Sequence, residues 1–284
     1  PFRDAPYTID ELKLKITDAF GLVIRSRCTL NSTFLNNAPG IKFIARSGSG
    51  LENIDTEYCK RKNIKVYNSP EGNKEAVAEH CLGFFLSLLN NFKNAQQELV
   101  SGKWQRESNR GLALESQIVG IIGYGHNGSA FAEKLSKLGV KTKVFDKYKT
   151  GFAKELIQES DLDEIFNTCT AISFHVPLTQ ETLYMADYQF FSSFSHPVFL
   201  LNISRGKVVK TKHLHKALQE GLVLGAGLDV LEEESSDFNV KENQEIIQDL
   251  NNLPNVILTP HVAGWTKESY YKLSKVLADK ILDF

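Results

Sequence analysis

The residues best suited to chemistry follow short apolar runs. Arg205 comes after Phe199-Leu200-Leu201-Asn202-Ile203, an acidic stretch at 229–234 after Gly225-Ala226-Gly227-Leu228, and His261 after Ile257-Leu258-Thr259-Pro260. Singly, each has an ordinary explanation: a surface arginine, a solvated glutamate loop, a cap behind a proline. Together they make the set that hydride chemistry on a 2-hydroxy or 2-keto acid requires. A cation must hold the carboxylate and polarise the carbonyl, and a general acid must deliver a proton as hydride arrives. The planar fork of Arg205 suits the first task. The imidazole of His261 suits the second, because it exchanges protons near neutral pH. A carboxylate bonded to that imidazole raises its pKa and fixes its tautomer, and Glu234 is the candidate for it.

A second constellation is Gly123-Tyr124-Gly125-His126-Asn127-Gly128, placed between the apolar run Ile118-Val119-Gly120-Ile121-Ile122 and a helical pattern. In that context Gly123 permits a tight turn, Gly125 lets the backbone approach a pyrophosphate, and Gly128 lets helix and strand pack closely. The helix N-terminus supplies N–H groups and a positive dipole end for phosphate. Asp146 ends the next strand at the distance where an acid binds ribose hydroxyls. It favours NAD over NADP, because a carboxylate repels a 2′-phosphate. Lys147 and Lys149 beside it weaken that preference, and a tight βα turn that binds nothing is the plain alternative.

The elements that must position these groups alternate. Strands are expected at 21–26, 41–46 and 65–68, then at 118–122, 142–146, 171–176, 198–203, 224–228 and 256–259. Helices are expected at 55–62, from near 73 to beyond 89, after the glycine loop to about 138, and from 267 to the end. Such alternation predicts parallel sheets covered on both faces, and in open sheets of this kind ligands bind beyond the carboxyl ends of the strands.

The length of 284 residues suits two domains. Hydrophobic residues make up 42% and charged residues 24%, and the formal net charge is −1. That balance gives no general attraction to nucleic acid or membrane. Cys28, Cys59, Cys81 and Cys169 form no CxxC pair and no zinc-spaced cluster, so no metal is expected and a reduced, cytoplasmic thiol set is. No leader peptide and no apolar run of membrane-spanning length is read. The sequence opens at Pro1 without an initiator Met.

The segments Asn202-Ile203-Ser204-Arg205-Gly206, Gly227-Leu228-Asp229-Val230, Thr259-Pro260-His261, Val77-Ala78-Glu79-His80 and Ser173-Phe174-His175-Val176-Pro177-Leu178-Thr179 resemble the D-isomer-specific 2-hydroxyacid dehydrogenases. The resemblance runs from about Gly21 onward. It implies that Arg205 binds the substrate carboxylate and carbonyl, that His261 donates and accepts the proton, and that Glu234 is its partner. It puts Val77, His175, Val176, Pro177, Ile203 and Asp229 on the cofactor side, with the loop residues Gly123, Gly125, His126, Asn127 and Gly128. It assigns the backbone amides of Ser47 and Gly48 to the substrate carboxylate, and gives His80 a structural role.

Two features resemble the members that act on 3-phosphoglycerate. They are the loop form Gly123-Tyr124-Gly125-His126 and the pair Arg25 and Arg27, which could hold a phosphate dianion. The expected reaction is therefore oxidation of 3-phosphoglycerate to 3-phosphohydroxypyruvate with NAD, as in serine biosynthesis. Glyoxylate, hydroxypyruvate or D-lactate chemistry is the alternative within the family, and a non-catalytic NAD-sensing corepressor the alternative outside it. The resemblance departs at Asn127, usually apolar, and at Ser235, usually proline. It also implies that the first strand of the substrate domain is absent and that no serine-binding regulatory domain follows Phe284.

The implied fold is α/β, with two Rossmann-like or flavodoxin-like domains of doubly wound parallel sheet. The NAD domain, 93–265, is inserted into the substrate domain, 1–92 with 266–284, and the active site lies in the cleft between. A homodimer through the cofactor domain is expected, with the stretch 102–112 as the crossing arm; otherwise that stretch is a surface loop with Trp104 packed on its own domain.

Overall fold

The computed structural model describes residues 9–26, 28–232, 234 and 244–283. Arg27 and Ser235 lie outside the described residues. The chain forms two compact units, one of residues up to Asn73 with those from Thr266, the other Lys74–Trp265. The second unit is thus inserted into the first. Set beside the expected border at 92/93, the division falls ahead of the helix Lys74–Leu89, which belongs to the inserted unit.

The first unit holds three parallel strands in the order β1 (Gly21–Ile24), β2 (Phe43–Arg46), β3 (Lys65–Asn68). Leu30, Phe34, Leu35, Ile41, Ile44 and Cys59 bury its core. The helix Thr56–Arg61 is capped by Asp55, whose carboxylate accepts from the Tyr58 amide at 2.8 Å. The helix Lys267–Leu282 starts at a reciprocal cap between Thr266 and Ser269, a device that contributes about 1 kcal/mol. Its Leu273 and Leu277 are buried, and Lys280 Nζ donates to Glu71 Oε1 at 2.8 Å and to the Asn68 carbonyl at 2.9 Å. Gly72 is needed where this helix meets the turn Pro70–Gly72: a Cβ there would lie 2.6 Å from the Leu273 nitrogen.

The second unit is built on a parallel sheet ordered β10-β9-β8-β7-β4-β5-β6. Its strands are β4 (Ile118–Ile122), β5 (Lys141–Phe145), β6 (Ile157–Glu159), β7 (Ala171–Phe174), β8 (Val198–Asn202), β9 (Val223–Leu228) and β10 (Val256–Leu258). Alternate side chains face opposite sides, as a period of two requires. Val119, Ile121, Phe199 and Leu201 enter one buried cluster with Phe85, Phe131 and Leu135. Ile122, Val198 and Leu200 enter another with Ile165, Phe191 and Leu214. Both faces are covered, which is why β4 reads as a continuous apolar run and β7 and β8 as nearly so, each with one buried polar residue.

Strand β6 was not expected from the sequence. The helix expected to run on past Leu89 instead stops, and a new one spans Phe92–Val100. Asn91 makes the break at φ +52°, a left-handed conformation that asparagine tolerates better than most residues. Lys93 then donates to the carbonyls of Asn251, Leu253 and Val256 at 2.6–2.9 Å, tying that helix to the entry of β10. None of the four cysteines is paired, and no described helix is long and apolar enough to cross a membrane.

Candidate active site

Arg205, Asp229 and His261 follow the carboxyl ends of β8, β9 and β10, three adjacent parallel strands. Buried Asn202 shapes the first turn. Its side-chain oxygen accepts from the Ser204 amide at 3.1 Å and hydroxyl at 2.9 Å, and its NH₂ donates to the Arg205 carbonyl at 3.1 Å. Arg205 itself has extended backbone, and its Nη1 donates to the Ser204 carbonyl at 2.6 Å. The next residue must be glycine, because a Cβ on Gly206 would lie 1.8 Å from the Leu231 carbonyl oxygen. The arginine turn and the segment leading to Glu234 are therefore in direct backbone contact.

His261 Nδ1 and Glu234 Oε1 are 2.5 Å apart. A carboxylate only accepts, so Nδ1 carries the hydrogen of the neutral ring and Nε2 its lone pair. His261 stands at φ +55°, a conformation that costs a non-glycine residue about 1–3 kcal/mol unless its surroundings enforce it. Asp229, 1% exposed, supplies the enforcement. Its carbonyl accepts from the His261 amide at 2.7 Å. Its carboxylate accepts the Val262 and Ala263 amides at 2.8 Å each, and the Thr259 hydroxyl at 2.5 Å. Its own amide donates to the Asn202 carbonyl at 3.0 Å. Asp229 thus joins the arginine turn to the histidine turn. The resemblance puts Asp229 on the cofactor side; its role as the anchor of both turns is not legible in the sequence. Asn202 and Thr259 were missed as well, although both sit inside the quoted motifs.

The glycine loop follows β4, where the sheet order reverses between β5 and β7, the position at which doubly wound sheets bind ligands. Gly123 has φ +97°, and a Cβ on Gly128 would lie 2.0 Å from the Gly123 carbonyl oxygen. A Cβ on Gly125 would meet nothing within 4 Å. No side chain caps the helix His126–Lys137, which leaves its start available to an anion. Asp146 follows β5, one residue beyond the expected strand end, and its carboxylate ties down the loop. One carboxylate oxygen accepts from the Tyr124 amide at 2.7 Å, the other from the amides of Tyr148 and Lys149 at 2.9 and 3.0 Å. Lys149 Nζ adds a bond to the Tyr124 carbonyl at 3.0 Å.

The model of the D-isomer specific 2-hydroxyacid dehydrogenase NAD-binding domain matches residues 82–263. The chain belongs to this family. Its members are NAD-dependent oxidoreductases acting on CH–OH groups. A hydroxypyruvate reductase of Thermotoga maritima is 32% identical over 96% of this chain and 87% of its own length. A D-3-phosphoglycerate dehydrogenase of Haemophilus influenzae is 31% identical over 97% of this chain, which spans 66% of that protein. A solved D-lactate dehydrogenase from Aquifex aeolicus, complexed with NAD and lactic acid, is 30% identical. It covers 95% of this chain and 85% of that one, with a TM-score of 0.85.

The residues of this dehydrogenase fit NAD. The open space above Gly125 accommodates a pyrophosphate at the uncapped helix start. Two buried polar atoms beside the loop, Asn127 Oδ1 and His175 Nδ1, have no partner among the described residues, and orphaned polar atoms of this kind are costly. His175 Nε2 is 2.8 Å from the Ser173 hydroxyl, and burial pushes its imidazole down to about 3, so it is neutral at ordinary pH. Val176 packs against Gly123, while Val77 and Ile203 share a buried cluster with Tyr124 and Ala263. Pro177 is exposed, and its carbonyl accepts from Thr182 at 2.6 Å.

In the other unit, the two amides assigned to a carboxylate already have partners. Ser47 donates to the Ile24 carbonyl at 2.9 Å, closing the β1–β2 ladder, and Gly48 donates to Ser69 Oγ at 3.3 Å. The Ser47 amide is therefore committed to the sheet, and only the longer Gly48 bond is readily exchanged. Arg25 is exposed with its guanidinium 5.1 Å from the centre of the Tyr270 ring.

Proposed function

We propose that this family member oxidises D-3-phosphoglycerate to 3-phosphohydroxypyruvate, the oxidation that supplies serine biosynthesis. The observation that carries the chemistry is the His261–Glu234 pair. Arg205 clamps the substrate carboxylate. The C2 hydroxyl gives its proton to His261 Nε2 while Glu234 stabilises the imidazolium that forms. NAD, when bound, accepts the hydride that leaves C2. Asp146 takes the ribose hydroxyls while its backbone bonds hold the loop, and His126 and Asn127 line the pyrophosphate. Support for the phosphate comes from Arg25, with Arg27 two residues on, and from the name of the Haemophilus influenzae relative. The name of the Thermotoga maritima relative, of which the chain covers more, supports reduction of hydroxypyruvate instead.

An absorbance assay at 340 nm over a panel of 2-hydroxy and 2-keto acids separates these readings. Turnover of 3-phosphoglycerate at a higher kcat/KM than glycerate is expected, with Arg25→Ala narrowing the ratio. An unchanged ratio rules out the phosphate role. His261→Asn should lower kcat by orders of magnitude and leave NAD affinity nearly intact; near wild-type turnover would end the acid–base assignment.

The working form we assign is a homodimer joined through the 102–112 segment, in the cytoplasm. Trp104 is 81% exposed, and Leu99, Val100 and Leu112, near it in sequence, are exposed as well, apolar side chains suited to contact with a second copy.

A further inference from the structure

We propose that His80 and Thr259 are positioning residues that fix the catalytic imidazole from behind, through Asp229. The inference rests on the acid–base reading of His261. His80 lies on the helix Lys74–Leu89, with its ring held edge-on against Phe84, centroids 4.6 Å apart. Its Nε2 is 3.0 Å from Thr259 Oγ1, and that hydroxyl is 2.5 Å from Asp229 Oδ1.

The direction of this chain follows from donor counting. Asp229 accepts two amides, and its carboxylate is the acceptor for the one hydroxyl hydrogen of Thr259. Thr259 Oγ1 then has only lone pairs to offer His80, so His80 Nε2 must carry a hydrogen. The sequence His80 N–H to Thr259 O–H to Asp229 runs one way and ends on the carboxylate. That carboxylate also holds the amides of Val262 and Ala263, next to the left-handed backbone of His261. Freed from Thr259, the carboxylate can rotate, and the turn it clamps loosens. His261 is then presented to substrate over a wider range of orientations, and a proton transfer tolerates little misplacement.

The test uses the full chain with NAD and the acid of the panel that turns over fastest. Thr259→Val keeps shape and removes the hydroxyl. Loss of a hydrogen bond to a charged group predicts a fall in kcat of about 10–100-fold. KM for NAD should stay within about twofold, and Thr259→Ser should restore most of the rate. His80→Leu should fall in the same direction. His80→Gln, which places a donor near the Nε2 position, should be rescued, and it carries the test if Thr259→Val does not fold. Melting temperature alone would move equally in a merely structural role; the kcat split and the two rescues would not. Thr259→Val or His80→Leu at wild-type kcat, beside an inactive His261→Asn, overturns the proposal. So does a His80→Gln as slow as His80→Leu. A His261→Asn that keeps turnover instead removes the acid–base reading, and the proposal falls with it.

Discussion

At the carboxyl end of β7, His175 is a histidine in sequence but a neutral ring in function. Burial holds its imidazole near 3, against an ordinary value of about 6.5. Among the described residues its polar partner is the Ser173 hydroxyl, which also lies 3.4 Å from Cys81 Sγ, a thiol that burial pushes up to about 12. The unfolded chain takes up a proton at residue 175 below about pH 6.5, and the folded chain does not until about pH 3. Stability from this residue is therefore complete above pH 6.5 and is lost as the pH falls toward 3, by at most about 1.4 kcal/mol per pH unit. His175→Gln keeps an amide for Ser173 and removes the titration. Between pH 7.5 and 4.5 its melting temperature should fall less steeply than that of the wild type. Parallel curves would show that the ring is accessible to protons.

At the scale of elements, the contact between the turn after β8 and the segment leading to Glu234 has no room for a methyl group. Gly206→Ala should destabilise by about 1–3 kcal/mol and depress kcat more than it weakens NAD binding, which rests mainly on the glycine loop after β4. A variant with normal melting temperature and rate would mean that the two backbones separate freely. The same scale shows what the sequence made legible. Strands β4, β7 and β8 were readable because burial on both faces writes itself as mostly apolar residues. Strand β6 was not, because Ile157-Gln158-Glu159 is too short to show a period and only Ile157 is buried. The split at Asn91 was hidden because the apolar pattern before it and the helix-forming residues after it read as one stretch. In the candidate site, the pairing of Glu234 with His261 was legible from the chemistry of the two groups, and the structure has it at 2.5 Å. Their supports were not. The bond from Thr259 to His80 joins residues 179 apart in sequence, and only the folded sheet brings them together. Asn202 offered a weak signal, a polar residue at the end of an otherwise apolar strand.

At the scale of the molecule, the exposed ring of Trp104 sets the prediction for assembly. Sedimentation should find a dimer, and Trp104→Lys should find a monomer whose melting temperature depends less on protein concentration. A wild-type monomer, or a dimer indifferent to the substitution, would remove the arm from the interface. The chain order has a consequence of its own during synthesis. The stretch ending at Asn73 leaves the ribosome before the inserted unit, yet the helix Lys267–Leu282 that completes its unit emerges about 190 residues later. At roughly 5–20 residues per second, that is a wait of roughly 10–40 seconds. Throughout that interval the turn at Gly72 has no Leu273 to pack against, and Glu71 has no Lys280. The earlier-made stretch of this unit thus waits for the later one before its core is complete. Chaperone demand should fall on this nascent stretch rather than on the larger inserted unit, which completes its own sheet as it appears.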